Sequence, residues 1–297
     1  MQSILKIQSC VVRTIVDFMH SKDVLQLMPV MLSPETDPLC HSVFEGSIEY
    51  YGQKLQLTKS MILHKQVALA SGLSNVFLFP QALSPNVRLE KKELVETGRH
   101  LIEFSQLDIE LEGATKRQFM DFMEELIVRI IKDVKRDCAK ELAGLGRELS
   151  VPKQPFKVYE SNWLREKYGD DFERKISEQE KEPFWIFDFT REFYDREDKD
   201  RKGYYHNYDL IFPEGFGEAL SGGEREFEYD MIARKLQERK MEPERFATFL
   251  SFAKAEMLKP SAGGGLGIER TVRFLTGTKD IKEITLFPRI PGQKVLF

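Results

Sequence analysis

The run GGGLGIERTVRFL, Gly263 to Leu275, sets four glycines within five residues directly ahead of a Glu-Arg pair and an apolar pattern of helical period. A glycine run before a helix is a frequent setting for bound phosphate. This one has neither the Lys-Ser/Thr of a P-loop nor the G-x-G-x-x-G spacing of a dinucleotide fold, so a different anion-handling chemistry has to be considered. Three further stretches carry candidate groups. Ser84 to Glu110 holds Arg88 and Glu90, a charged loop, and then Arg99, His100 and Phe104. Arginine presents fixed donors to phosphate and stays charged, and an aromatic ring can stack on a base. NYDLIFPEGFGEALSGGERE brings Asp209, Glu218 and Arg225 around a Gly-rich turn; two carboxylates at strand ends suit Mg²⁺, which takes carboxylates together with phosphate oxygens. Lys65 is the fourth feature. Singly, each reads as easily as a solvated charge; their order and spacing together carry the argument.

The elements that must position these groups are legible in part. EFSQLDIELEG, Glu103 to Gly113, alternates: Ser105, Leu107, Ile109 and Leu111 fall on one face, and Phe104, Gln106, Asp108 and Glu110 on the other. A half-buried surface strand has this pattern, and so does the floor of a site. Thr115 to Gln118 fits a capping box opening a long amphipathic helix with Phe119, Phe122, Met123, Leu126, Ile127, Ile130, Val134 and Cys138 inward. Residues 4–19 have helical spacing, as does SMILHKQVALASG from Ser60. KLQLTKS, NVFLFP, FWIFDF, NYDLIFP and EITLFP read as strands, with helical patterns near 224–240 and 243–258 and a polar, Pro-containing segment over 150–182. The strand–helix alternation of a doubly wound parallel sheet is absent, so the expectation is one α+β domain over residues 1–297.

Composition narrows the classes. The chain is 41% hydrophobic with 22 Phe, ample for a core, and its net charge of −4 does not call for a long nucleic acid as partner. Cys10, Cys40 and Cys138 form no C-x-x-C pair, and the five histidines form no H-x-x-x-H motif, which argues against a disulfide framework or a structural zinc site. The first twenty residues make a poor signal peptide, and no run approaches the ~18 apolar residues of a membrane span. A cytoplasmic protein is expected.

The order of the motifs resembles the catalytic domain of class II aminoacyl-tRNA synthetases, specifically the aspartyl/asparaginyl group. LQLMPVML is similar to that family's first motif, VRLE with GRHLIEFSQLDIE to its second, GGGLGIER with EITLFPR to its third, and YDLIFPEGFGEALSGGER to its metal- and substrate-binding segment. The resemblance implies an antiparallel sheet flanked by helices, and a homodimer through the first-motif region around Pro29. It implies ATP and Mg²⁺: Arg88 and Arg270 as the catalytic arginines, Glu90 near adenine, Phe104 stacked on it, Arg99 and His100 near the terminal phosphates, and Asp209 and Glu218 as metal ligands. Lys65, Gln106, Asp108 and Arg225 match amino-acid-binding positions and suit aspartate, Asp108 facing the ammonium and the two cations facing carboxylates. Ile62 stands where the family has a substrate-contacting Gln.

The first-motif helix begins almost at Met1, so no N-terminal anticodon-binding OB domain is expected, and tRNA binding is not expected either. A small nucleophile would then complete the reaction. The chain in this respect resembles archaeal asparagine synthetases related to asparaginyl-tRNA synthetase. The implied reaction joins L-aspartate, ATP and ammonia into asparagine, AMP and pyrophosphate. The alternative is a truncated paralogue transferring an activated amino acid to tRNA or a protein acceptor.

Overall fold

A computed structural model describes residues 1–39, 43–78, 86–90, 98–189 and 192–295. Cys40, His41 and most of the charged loop that follows Glu90 lie outside these. In chain order the elements are α1 (Gln2–Ser21), β1 (Leu25–Leu27), β2 (Leu32–Ser33), β3 (Val43–Phe44), β4 (Ser47–Tyr50), β5 (Gln53–Leu57), α2 (Ile62–Ala70) and β6 (Asn75–Leu78). Next come β7 (Asn86–Val87), β8 (Leu89–Glu90), β9 (Glu103–Phe104), β10 (Gln106–Glu112), α3 (Lys116–Asp137) and α4 (Ala139–Gly144). The rest are β11 (Lys157–Glu160), α5 (Ser161–Tyr168), α6 (Phe172–Gln179), β12 (Phe184–Phe187), β13 (Asn207–Phe212), β14 (Gly217–Glu224), α7 (Tyr229–Glu238), α8 (Ala247–Lys254), β15 (Ser261–Gly267) and α9 (Ile268–Thr276).

Eight strands form the main sheet in the order β1-β6-β10-β15-β14-β13-β12-β11. The inner pairings are antiparallel, and only the outermost pairs, β1/β6 and β11/β12, are parallel. The fold is therefore α+β with a mostly antiparallel sheet. Strand alternation sorts the sheet's two faces. Leu107 and Ile109 of β10, Tyr208 and Leu210 of β13 and Leu220 of β14 point into a core shared with α1, α3 and α9. Phe119 of α3 stacks on Tyr208 at 5.3 Å between ring centroids. The Thr115–Gln118 capping box forms as expected and starts α3. On β10 the opposite face keeps Gln106, Asp108 and Glu110 away from that core. A second apolar cluster, from α2, α7, α8 and the Phe193–Tyr194 stretch, walls that side.

Two expectations change. EITLFP is no strand: a 3₁₀ turn occupies Ile281–Glu283, Ile284 is buried, and Leu286 and Phe287 are exposed. With Ile284 alone of Ile284, Leu286 and Phe287 buried, the alternating residues do not share one buried face. The Gly-rich stretch after Asp209 is the eight-residue strand β14 rather than a turn. Its glycines serve strand contact, since a Cβ on Gly222 would lie 2.3 Å from the Gly263 carbonyl oxygen; the turn itself falls earlier, at Glu214 and Gly215, both with positive φ. The polar 150–182 segment is built of β11, α5 and α6.

Candidate active site

The second glycine-rich strand, β15, lies directly beside β10, with Asp108 opposite Gly265 and Glu110 opposite Gly263. A Cβ at Gly263 would sit 2.0 Å from Glu110 Oε2, and one at Gly265 would sit 2.3 Å from Gln106 Nε2. The glycines thus clear the volume that the large polar side chains of β10 occupy, which is a more immediate role than close approach to a nucleotide.

These side chains form a buried ionic floor. Lys65 Nζ, on α2, donates to Asp108 Oδ1 at 3.1 Å and to the Ile109 carbonyl at 3.0 Å, with Glu110 Oε2 at 3.5 Å. Arg225, just past β14, grips Glu110 with two donors, Nε to Oε1 at 3.0 Å and Nη2 to Oε2 at 3.3 Å. Its Nη1 donates to Asp195 Oδ1 at 3.4 Å. Ser261 Oγ donates to Glu110 Oε1 at 2.8 Å, and Asn207 Nδ2 to Asp195 Oδ2 at 3.1 Å. Burial alone would pull the Arg225 pKa down, but Glu110 and Asp195 outweigh it and raise the pKa. Two cations against three carboxylates, each with a partner, is the arrangement that makes buried charge tolerable.

Above this floor opens a cleft of about 430 Å³. Lys65, Arg88, His100, Gln106, Asp108, Glu218, Arg225 and Arg270 all line it. A smaller annex of about 60 Å³ shares Arg88, His100, Gln106, Glu218 and Arg270 with it and adds Arg99 and Phe104. The Arg88 guanidinium lies 5.1 Å from the centre of the Phe104 ring, and its Nε donates to the Lys59 carbonyl at 3.1 Å. Arg270 Nη1 donates to the Glu218 carbonyl at 3.1 Å and to its Oε1 at 2.9 Å. Glu269, next along α9, accepts the Ser105 amide with both carboxylate oxygens at 3.0 Å, pinning the break between β9 and β10. Burial raises its pKa to about 7 despite that bond.

Ten of the twelve site residues named from sequence therefore line the cleft or the annex that shares its wall. Glu90 lies in β8, with its side chain outside the described residues. Asp209 is buried within β13, opposite Ser221 in register, and lines neither the cleft nor its annex; Ser221 lines the cleft in its place. The Asp209–Glu218 pair is thus not assembled at the surface of the cleft, because Asp209 sits mid-strand rather than at a strand end. Among the described residues no group of three His, Cys, Asp or Glu side chains is arranged to hold a metal by itself. One carboxylate in the cleft, Glu218, still suits Mg²⁺ that brings phosphate oxygens as its other ligands.

Sequence reasoning missed several groups. Glu110 stands in the same alternating row as Asp108, so its spacing was the available signal. Glu192, Tyr194 and Asp195 also line the cleft, and nothing local in EFYD marks them. Asp37 reaches the cleft too, held by Ser60 Oγ donating at 2.7 Å and Tyr194 Oη donating at 3.1 Å; these contacts cross long stretches of chain.

A glycine-backed strand carrying an arginine helix, beside a strand of amide and carboxylates, defines a class. The chain belongs to the family of class II tRNA synthetases of the D, K and N type, whose family model matches residues 1–291. It is 32% identical over 310 residues to the aspartate–tRNA(Asp/Asn) ligase of Methanopyrus kandleri, covering 97% of this chain and 68% of that protein. It is 28% identical over 307 residues to the asparagine–tRNA ligase of Thermoplasma acidophilum, covering 97% of this chain and 69% of that one. The fold matches a crystal structure of asparaginyl-tRNA synthetase from Pyrococcus horikoshii complexed with asparaginyl-adenylate, with a TM-score of 0.89 at 24% identity, over 99% of this chain and 70% of that one. This chain spans about two thirds of the length of such relatives.

Proposed function

We propose that the cleft condenses ATP with aspartate into an aspartyl adenylate, releases pyrophosphate and hands the acyl group to an acceptor. The observation that supports this reading is the shared wall of the two spaces: the arginine- and Phe104-lined annex and the cleft over the ionic floor have Gln106, Glu218 and Arg270 in common. Adenine stacks on Phe104, with Glu90 near it, and Arg99 and His100 take the terminal phosphates. Asp108 receives the amino-acid ammonium, with Gln106 beside it, while Lys65 and Arg225 draw a carboxylate to the floor. The substrate carboxylate attacks the α-phosphorus in line, and its bond to the pyrophosphate oxygen breaks. Arg88 and Arg270 stabilise the charge that develops there. Glu218 would hold Mg²⁺ together with phosphate oxygens, with Asp209 on the neighbouring strand β13 opposite Ser221; the ion when bound supplies charge neutralisation at the phosphates.

Two acceptors have support. The similarity to ligases that charge tRNA favours an RNA acceptor, and this is the reading the relatives back more directly. Transfer to ammonia, giving asparagine and AMP, has one specific observation in its favour. The cleft wall carries Asp37, Glu192, Asp195 and Glu218, carboxylates of the kind that pair with an ammonium ion, set among the arginines and Lys65 of the same wall. In that reaction ammonia attacks the β-acyl carbon, a nearby carboxylate such as Asp108 or Glu218 takes the departing proton, and AMP leaves. A homodimer is supported by the exposed apolar run Leu25, Met28, Val30, Met31 and Leu32 around Pro29. No helix among the described residues is long and apolar enough to cross a membrane.

The test supplies ATP, Mg²⁺ and aspartate with ammonium in one arm and unfractionated tRNA in another. Asparagine with AMP in the first arm supports the ammonia reading; an ester formed only in the second supports tRNA. ADP in either arm would overturn adenylate chemistry.

A further inference from the structure

Behind Arg99 and Glu218 of the annex stands an element outside the glycine and arginine segments. Helix α6 packs against β13 and β14. Its Ser177 fixes it there: Oγ donates to the Phe212 carbonyl at 2.7 Å and accepts the Gly217 amide at 3.1 Å, and the Ser177 carbonyl accepts the Gly215 amide at 3.1 Å. One helical turn earlier on the same face stands Glu173. Its Oε1 accepts Arg99 Nη2 at 3.2 Å and, in the same position, the Glu218 amide at 3.2 Å. One carboxylate oxygen therefore joins an arginine of the annex to the backbone of the cleft's carboxylate.

The other contacts around it hold the same point. Arg270 grips the Glu218 carbonyl from the opposite side, and Arg273 Nη2 donates to the Phe216 carbonyl at 2.5 Å. Arg99 lies flat over Gly217, where a Cβ would come 2.5 Å from its Nη2, and Gly217 has φ of +74°. The guanidinium is thus confined between a glycine floor and Glu173.

We infer that Glu173 is a positioning residue for nucleotide binding: from the docked helix α6 it sets both the Arg99 guanidinium and the start of β14 that presents Glu218. The inference rests on the nucleotide reading of the annex proposed above. A charge-assisted pair that fixes a guanidinium before the ligand arrives removes its ordering cost from binding. Removing Glu173 leaves Arg99 its charge but takes away this carboxylate partner.

The experiment measures affinity for a non-hydrolysable ATP analogue with Mg²⁺ by calorimetry, independently of turnover. It compares the wild type, Glu173→Ala, Glu173→Gln, Arg99→Ala and the Glu173→Ala/Arg99→Ala double variant, with melting temperatures alongside. Glu173→Ala is expected to weaken binding about tenfold, and Glu173→Gln by less, because its amide oxygen still accepts the Glu218 amide. The double variant should bind like Arg99→Ala alone, since two residues acting as one unit do not add. In steady state the KM for ATP should rise while the KM for aspartate stays in place. Unchanged analogue affinity in Glu173→Ala overturns the inference, as does full additivity with Arg99→Ala. A parallel loss of melting temperature and of both KM values assigns Glu173 a purely structural role and overturns it as well. A wild type that binds no nucleotide sinks the nucleotide reading itself, and this inference with it; a wild type that binds while Glu173→Ala binds equally sinks only the role of Glu173.

Discussion

The floor of the cleft and its annex are built on opposite plans. In the floor, Lys65, Asp108, Glu110, Asp195 and Arg225 are almost wholly buried and hold one another through several bonds each. In the annex, Arg99, Glu218 and Arg270 keep about a quarter of their side-chain surface open, with Arg99 paired to Glu173 and Arg270 to Glu218. The floor's groups are closed off among themselves, whereas the annex's groups keep part of their surface open to a ligand. On the proposed reading, the first arrangement suits an amino acid of one shape and the second a flexible triphosphate that enters and leaves as pyrophosphate. The contrast predicts that floor substitutions damage the fold first, and annex substitutions damage chemistry first.

Arg225→Ala is the hardest test of the floor. It strands Glu110 and Asp195 without their shared cation, and the loss of a buried ion-pair partner should cost about 3–5 kcal/mol in chemical denaturation. A smaller loss would mean that the floor is hydrated and not fixed. Gly263→Ala comes next: its Cβ meets Glu110 Oε2 at 2.0 Å and the Ile109 carbonyl oxygen at 2.4 Å, so overpacking of roughly 1–3 kcal/mol is expected. Arg270→Ala reverses the pattern. Its partly exposed pair with Glu218 contributes only about 0–1 kcal/mol to stability, yet adenylate formation should fall on the order of a hundredfold or more. Equal losses in stability and activity would erase the distinction between the two regions.

The smallest expected effect is one of pH, at Glu269. Burial raises its folded-state pKa to about 7 from an ordinary value of 4.5. Between those values the folded chain keeps a proton that the unfolded chain has released. This group's contribution therefore makes the fold less stable as pH rises from about 4.5 to about 7, and levels off above. Urea midpoints at pH 5 and pH 7.5 should differ less in Glu269→Gln than in the wild type; an identical difference in both proteins would remove Glu269 as the source.

How much of this was legible follows from where the information lies. β10 announced itself because period-two alternation between a core and a polar face is a local property. Gln106 and Asp108 came with it, and Glu110, in the same row, was visible but unassigned. The glycines of β15 were visible as a run, but their reason, the room that Gln106 and Glu110 need, belongs to a neighbouring strand far away in the chain. β14 was mistaken for a turn because glycines that allow two strands to approach look, in one dimension, like glycines that allow a chain to reverse. Asp209 was placed among metal ligands because strand ends are read to within a few residues at best, and it falls mid-strand. Asp37, Glu173 and Asp195 carry no local mark at all. Each becomes part of the site only through a contact across tens or hundreds of residues: Ser60 and Tyr194, Arg99 and Glu218, Arg225.

Aspartate-dependent exchange of labelled pyrophosphate into ATP, run without ammonium or tRNA, tests the central claim most directly, since it requires only the adenylate-forming half-reaction. Exchange that needs both aspartate and Mg²⁺, and that disappears in Arg270→Ala while the variant stays folded, is the predicted result. No exchange from a folded wild type, or exchange indifferent to aspartate, would contradict the account.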